Sequence, residues 1–398
     1  MTAETATAGA VIAGSLLLWG LVGGRLQRAE LTAPIVFVAL GGLLSPVVGI
    51  FEVELHAFQL LIELTLALVL FSDASGVRLP QPRADLAWYG RLLGVGLPLT
   101  VAGGWLLAAS MLPGVSGWLA VLVGAALAPT DAALGAAVLT DPAVPERVRR
   151  AINVESGLND GVATPIVLVA IAGVAGSERG GVTDALVELA VGAGIGALVG
   201  AAGGVLTSAS HRRGWLAGSF AGPAMLALVV TAFTAAVATG GNGFVAAFVG
   251  GLAFGNVAGE FELAQVKFVE ETGGLAAALV WLLFGAVVFP IVGDTFSWQI
   301  ALYTVLSLTV LRMVPVAVSM LGMRLGIATV AFVGWFGPRG LPSIIFALLA
   351  IDELGIVAAP AVGTIALTVL VSVVAHGLSA QPLASRYGAA VSGSRDHA

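Results

Sequence analysis

Long apolar runs alternate with short polar or turn-forming breaks along the whole chain, and about 20 apolar residues suffice to cross the hydrocarbon core of a bilayer. Cutting at the breaks gives thirteen predicted spans, at 8–24, 32–50, 56–75, 88–109, 115–139, 151–175, 183–207, 218–239, 241–258, 272–293, 297–322, 325–351 and 356–380. The eighth and ninth are parted only by the Gly240-Gly241-Asn242-Gly243 turn. The pattern predicts an all-α polytopic membrane protein, a single membrane domain over residues 1–380 followed by a short tail, 381–398. Between spans nine and ten, Glu260, Glu262, Lys267, Glu270 and Glu271 interleave with Phe261, Leu263, Val266 and Phe268. That stretch reads as a separate amphipathic interfacial loop helix over 259–272.

Composition agrees with the pattern. Charged residues make up 10% of the 398, against roughly 25% in soluble domains, and 58% of the chain is hydrophobic. A surface so poor in charge is matched to lipid. A net charge of -6 without a basic stripe excludes nucleic acid as a partner. Zero cysteines exclude disulfides and thiolate chemistry. The four histidines, His56, His211, His376 and His397, are too scattered for a zinc or haem site, so no cofactor is expected. His376, near the inner end of span thirteen, reads as a packing or boundary residue.

Loop charge sets an expected orientation, because cytoplasmic loops are enriched in Lys and Arg. Fourteen of the 17 basic residues follow odd-numbered spans: Arg25, Arg28, Arg78, Arg83, Arg91, Arg147, Arg149, Arg150, Arg212, Arg213, Lys267, Arg324, Arg386 and Arg395. After even-numbered spans only Arg179 appears, with acids such as Glu52, Glu54, Asp294, Asp352 and Glu353. The N-terminus is therefore expected outside and the C-terminus in the cytoplasm. Met1 to Gly24 holds no Lys or Arg, unlike the basic start of a cleaved signal.

Two spans are interrupted. The fifth holds Ala128-Pro129-Thr130-Asp131, and the twelfth holds Gly334-Trp335-Phe336-Gly337-Pro338-Arg339-Gly340-Leu341-Pro342. Proline and glycine free backbone carbonyls and amides at membrane depth, which is tolerated only where they line a protein cavity. The breaks lie seven spans apart, and an odd offset makes the two helices cross in opposite directions. This predicts an inverted repeat, 8–175 against 218–380 with 183–207 as connector, and a binding site near the midplane. The connector carries Gly192, Gly196, Gly200 and Gly204, a ridge suited to close packing within the molecule.

Ionisable residues within a bundle are costly and so mark function. Asp131 sits at the first break, and Asn153-Val154-Glu155-Ser156-Gly157-Leu158-Asn159-Asp160 begins span six. On a helix Asn153, Ser156 and Asp160 share one face, and Glu155 and Asn159 form a neighbouring stripe. With Thr130, Asp131 and Asp73 they supply oxygen ligands only, which suit a hard cation. The same carboxylates can bind protons, because a charge is costly to bury and like charges repel. If the site reorients only when neutralised, cation and proton must move in opposite directions. Asp73, at the end of span three, is either a site or entrance carboxylate or an end-cap of that span. Buried Arg312 needs a partner, for which Glu155 is the candidate, and Arg339 can offset the carbonyls freed at its own break. Glu63 and Glu188 read as interfacial or bundle-facing residues without a transport role.

Ala128-Pro129-Thr130-Asp131, Glu155-Ser156-Gly157-Leu158-Asn159-Asp160-Gly161 and Gly337-Pro338-Arg339-Gly340, in this order on spans five, six and twelve, resemble the monovalent cation/proton antiporters of the NhaP and eukaryotic Na+/H+ exchanger branch. The resemblance covers nearly the whole chain. It implies a thirteen-helix inverted-repeat fold, a core bundle moving against a scaffold, and a homodimer. It implies that Thr130, Asp131, Ser156 and Asp160 form the Na+ site, that Asn159 holds the unwound region together and that Glu155 pairs with Arg312. An Asn-Asp pair, as at Asn159-Asp160, accompanies electroneutral one-for-one exchange in this branch. Two positions depart from the family: Asp73 stands where relatives commonly have glutamate, and Pro338 where many have leucine. About eighteen residues follow span thirteen, which implies no regulatory tail and a prokaryotic inner-membrane setting.

The expected activity is exchange of Na+, or of Li+ or K+, for H+ in a secondary transporter without enzymatic chemistry. The alternatives are a K+/H+ antiporter or a cation channel on the same fold. An antiporter-like subunit of a redox pump would rely on intramembrane lysines, whereas the one lysine, Lys267, is expected in a loop.

Overall fold

The computed structural model describes residues 3–27, 29, 31–48, 58–77, 83–131, 134, 138–139, 141–176 and 181–395. Arg28, Glu52, Glu54, His56, Arg78, Arg179 and His397 lie outside the described residues. The described chain is helical: α1 Ala3–Gln27, α2 Ala33–Val48, α3 Gln59–Ser75, α4 Arg83–Arg91, α5 Leu97–Met111, α6 Gly117–Ala126, α7 Glu146–Ala175, α8 Gly181–Arg212, α9 Ala221–Ala238, α10 Gly243–Val257, α11 Glu260–Thr295, α12 Trp298–Leu308, α13 Val310–Ser319, α14 Ile327–Trp335, α15 Leu341–Leu354 and α16 Ala359–Arg395. Among the described residues eight stretches are long and apolar enough to cross a membrane, and shorter apolar helices accompany them. Among the described residues each predicted span holds one helix or one interrupted pair, and of span five the part from 132 to 137 lies, apart from Leu134, outside the described residues.

The interruptions have local causes. Pro98 lacks the amide that would bond to the carbonyl of Gly94, and the chain widens into a π-turn, Leu92–Gly96, between α4 and α5. Span eleven is broken at Thr309, whose φ of -111° and ψ of -84° lie outside the helical range, and the bend starts α13 in a new direction. Span nine starts cleanly because the Asn242 carboxamide accepts from the amides of Phe244 and Val245.

Two groups of helices pack side by side. In the first, α2 and α3 lie on α11, α8 and α3 on α10, and α9 against α8, α10 and α11. In the second, α6 bridges α5 and α7, α13 packs on α14, and α16 gathers α12, α14 and α15. The glycine ridge of α8 is buried inside the first group: side chains at Gly192, Gly196 and Gly200 would overlap the backbone of Asn242, Ala246 and Gly250. The groups meet where α7 touches α3, α8 and α10 and where α11 touches α16.

Two expectations are corrected. Residues 259–272 are not a separate interfacial loop helix but the first turns of α11, with Glu262, Val266 and Val269 buried, because an apolar stripe continues unbroken into span ten. Lys267 accordingly lies on a helix, exposed and 3.7 Å from Glu271. Residues 381–395, assigned to a tail, continue α16, and Tyr387 stacks on Phe332 with ring centres 4.1 Å apart.

Candidate functional site

The two breaks meet. α6 stops at Ala126, α14 stops at Trp335 and α15 restarts at Leu341. A helix C-terminus exposes carbonyls and a helix N-terminus exposes amides, with opposite partial charges. Each is met by a side chain from the other break. The Arg339 guanidinium donates from Nη1 to the carbonyls of Ala128 at 2.8 Å and Pro129 at 3.0 Å. The Asp131 carboxylate accepts from the Leu341 amide at 2.9 Å, and the Asp131 amide donates to the Pro338 carbonyl at 2.8 Å. Ser343 Oγ donates to the Ala126 carbonyl at 2.6 Å. Arg339 thus offsets the carbonyls of the opposite break rather than those of its own.

The glycines of Gly337-Pro338-Arg339-Gly340 are required by close approach. A Cβ at Gly340 would occupy the place of the Asp131 carboxylate, and one at Gly337 would run into the Arg312 guanidinium. Arg312, on α13, is buried against α7 and forms a two-pronged ion pair with Glu155, Nη1 to Oε1 at 2.5 Å and Nη2 to Oε2 at 2.9 Å. Nη2 also reaches the Val333 carbonyl at 3.4 Å, at the end of α14. The pair ties three elements together.

On the neighbouring face of α7, Ser156 Oγ and Thr130 Oγ1 are 2.9 Å apart, and Asn159 Nδ2 donates to Thr130 Oγ1 at 2.8 Å. Asn159 therefore holds the first break onto α7. Asp160 is 3% exposed, and no protein donor among the described residues meets its Oδ1, nor the Oδ1 of Asn159. Buried acceptors of this kind need a cation, a proton or water.

A cavity of about 560 Å³ leads to this point. Asp73, Asp131, Ser156 and Asp160 line it, with Asn153 and Glu270 among the residues toward the ends of α3, α7 and α11. Thr130 is buried behind the wall, its hydroxyl engaged by Ser156 and Asn159. The structure thus brings Asp73, Asp131, Ser156 and Asp160 to the wall of one cavity, keeps Thr130 and Asn159 behind it, and sets Glu155 with Arg312 apart as an ion pair. Among the described residues no three His, Cys, Asp or Glu side chains converge closely enough to chelate a metal. A cation held here is coordinated by carboxylate together with hydroxyl, amide oxygen or water.

Glu63 accepts from Gln59 within α3, and Glu188 is exposed on α8. Sequence reasoning missed Glu270 in the cavity wall, Ser343 at the crossing, and the serines of α16 described below. Glu270 lay in the segment read as a loop helix, and a serine in an apolar helix carries no spacing signal.

The model of the sodium/hydrogen exchanger transmembrane family matches residues 13–386. A K(+)/H(+) antiporter, NhaP, of Alkalimonas amylolytica is 26% identical over 351 residues, 85% of this chain. The match spans 59% of that relative's length. Among solved structures, the sodium proton antiporter MjNhaP1 from Methanocaldococcus jannaschii at pH 8 superposes with a TM-score of 0.75 at 18% identity, covering 94% of this chain and 99% of that one. An electron-microscopy structure of the same antiporter gives 0.75 over 97% and 98%. These likenesses establish the thirteen-helix antiporter architecture. With the family model matching nearly the whole length, the chain is a multi-pass membrane protein that belongs to the sodium/hydrogen exchanger family, whose members are secondary transporters and not enzymes.

Proposed function

We propose that this protein exchanges a monovalent cation, Na+ in the first instance, for H+ by alternating access, the two competing for Asp160. The observation that carries the reading is the buried Asp160 carboxylate in the wall of a cavity of about 560 Å³, with one oxygen unmet by any described protein donor. A charge so placed is neutralised by a proton or by a cation, one at a time. Ser156 lines the same space, and Asp73 and Asp131 add negative potential that draws cations in.

The state of the neighbours supports one-for-one exchange. Glu155 is neutralised by Arg312, residue 159 is an uncharged Asn, and Asp131 is engaged at the head of α15. Asp160 and Asp73 remain in the cavity, and the exchanged load is assigned to Asp160, the one on the same helix as Ser156 and Asn159. The helix group containing α2, α3 and α8 to α11 serves as scaffold, and the group containing α6, α7 and α12 to α16 as the moving core. The pseudo-symmetric division into 8–175, 183–207 and 218–380 belongs to the same proposal. The arginine bias supports an N-terminus outside and a cytoplasmic cavity mouth, so that the cavity would face inward, and the resemblance supports a prokaryotic inner membrane as the setting. The protein is read as a homodimer, on the resemblance to its branch.

K+ is the second reading for the cation, favoured by the name of the Alkalimonas relative. Purified protein in proteoliposomes, given Na+, K+, Li+ and Ca2+ in turn across a pH gradient, decides between them. Wild type should dissipate the gradient on addition of its cation, and Asp160→Asn and Asp160→Ala should not. Wild-type rates in either variant overturn the assignment of Asp160, and a rate that follows an imposed diffusion potential overturns electroneutrality.

A further inference from the structure

The break between α14 and α15 leaves residues 336–340 outside any helix, and the backbone groups at both of its edges need partners. At the first edge the Trp335 carbonyl lies 3.0 Å from His376 Nε2. At the second the Arg339 amide donates to Ser372 Oγ at 2.6 Å. Ser372 and His376 are one turn apart on α16, and Ser372 Oγ is 3.1 Å from His376 Nδ1. A carbonyl can only accept, and Nδ1 lies 3.0 Å from the Ser372 carbonyl as Nε2 does from that of Trp335, so either ring nitrogen can carry the proton; with Nε2 protonated, Nδ1 accepts from the Ser372 hydroxyl. In that tautomer a continuous chain runs from the Arg339 amide to the Ser372 hydroxyl, the imidazole and the Trp335 carbonyl, and in the other the ring still contacts both Ser372 and the Trp335 carbonyl. Ser379, close to a further turn along α16, accepts from the Trp335 indole at 3.0 Å. Ser372, His376 and Arg339 are at most 1% exposed, so water does not compete for these bonds.

The clamped segment is the one that builds the ion site from behind. Pro338 accepts the Asp131 amide, the Arg339 side chain holds the carbonyls preceding Thr130, and Leu341 donates to the Asp131 carboxylate. We infer that His376 and Ser372 are positioning residues of the exchange site: from α16 they fix both edges of the break and thereby the place of Asp131 and Thr130 beside Asp160. This rests on the antiport reading for its functional consequence, and on the bonds themselves for its structural one.

The test compares His376→Leu, which keeps bulk and removes both bonds, with His376→Gln, whose amide can donate to Trp335 and accept from Ser372. Hydrogen exchange of the 336–341 amides and cation-dependent gradient dissipation in proteoliposomes are measured on both. Leu should speed exchange of that segment about tenfold and raise the cation KM about tenfold with turnover nearly unchanged, as expected for loss of a buried hydrogen bond. Gln should restore both. Wild-type exchange and KM in the Leu variant overturn the inference, and so does a Leu defect that Gln leaves uncorrected. If the Leu variant does not reach the membrane, Ser372→Ala and its conservative partner Ser372→Thr carry the same comparison. If wild type exchanges no cation, the antiport reading fails, while hydrogen exchange still decides the clamp.

Discussion

At the residue scale the sharpest contrast is between two carboxylates on one helix. Glu155 and Asp160 are both buried on α7, yet Glu155 is bonded twice to Arg312 while Asp160 keeps an oxygen unmet by a described protein donor. Their substitutions should therefore fail differently. Glu155→Gln leaves a buried guanidinium without its counter-charge, at a cost of about 3–5 kcal/mol, and should lower membrane yield and thermal stability. The exchanged pair Glu155→Arg with Arg312→Glu should recover part of that loss, and no recovery would show that the pair is not what holds the three helices. Asp160→Asn should leave yield and melting temperature close to wild type while abolishing exchange. Gly340→Ala should act as a stability and transport variant together, since its methyl displaces the Asp131 carboxylate from the head of α15; a thermal scan with a transport assay checks both. The residue types of the site were legible because an acid or an arginine in an apolar run is costly and hence conspicuous. Ser343, Ser372 and Ser379 were not, because a hydroxyl can satisfy itself on its own helix and leaves the hydrophobic pattern undisturbed.

At the element scale, span positions were readable because each bilayer crossing needs a fixed length of apolar chain. What escaped was continuity. The bend at Thr309 lies inside an apolar run with no proline at that residue, and the union of 259–272 with span ten hides behind a run of charged residues, of which Glu260, Lys267 and Glu271 are exposed on α11 while Glu262 is buried and Glu270 lines the cavity. The fate of the α8 ridge was legible from its four-residue spacing, since small residues at that period allow backbones to touch. Gly196→Leu or Gly200→Leu should separate α8 from α10 and reduce the melting temperature of the detergent-solubilised protein. A change of dimer fraction at unaltered melting temperature would instead assign the ridge to an interface between copies.

At the scale of the whole molecule, two expectations are open to direct measurement. A lower pH should raise the apparent KM for the cation, because protons then occupy the carboxylate that the cation must take; below the titration midpoint of the site the rise approaches about tenfold per pH unit. A KM independent of pH would exclude competition at one site. The chain has no cysteine, so a single one introduced as Asn153→Cys at the cavity wall reports sidedness without background. It should react with a membrane-impermeant maleimide in inside-out vesicles and be protected in right-side-out ones, and the reverse pattern would invert the topology. The mutual capping of the two breaks has a mechanical consequence. Because the charge that quiets each severed helix is mounted on the other, neither half can swing away alone without exposing a bare pole in a medium that cannot screen it. If the core moves as proposed, the crossing would travel as one rigid hub, and an ion released on either side of the membrane would leave the same seat.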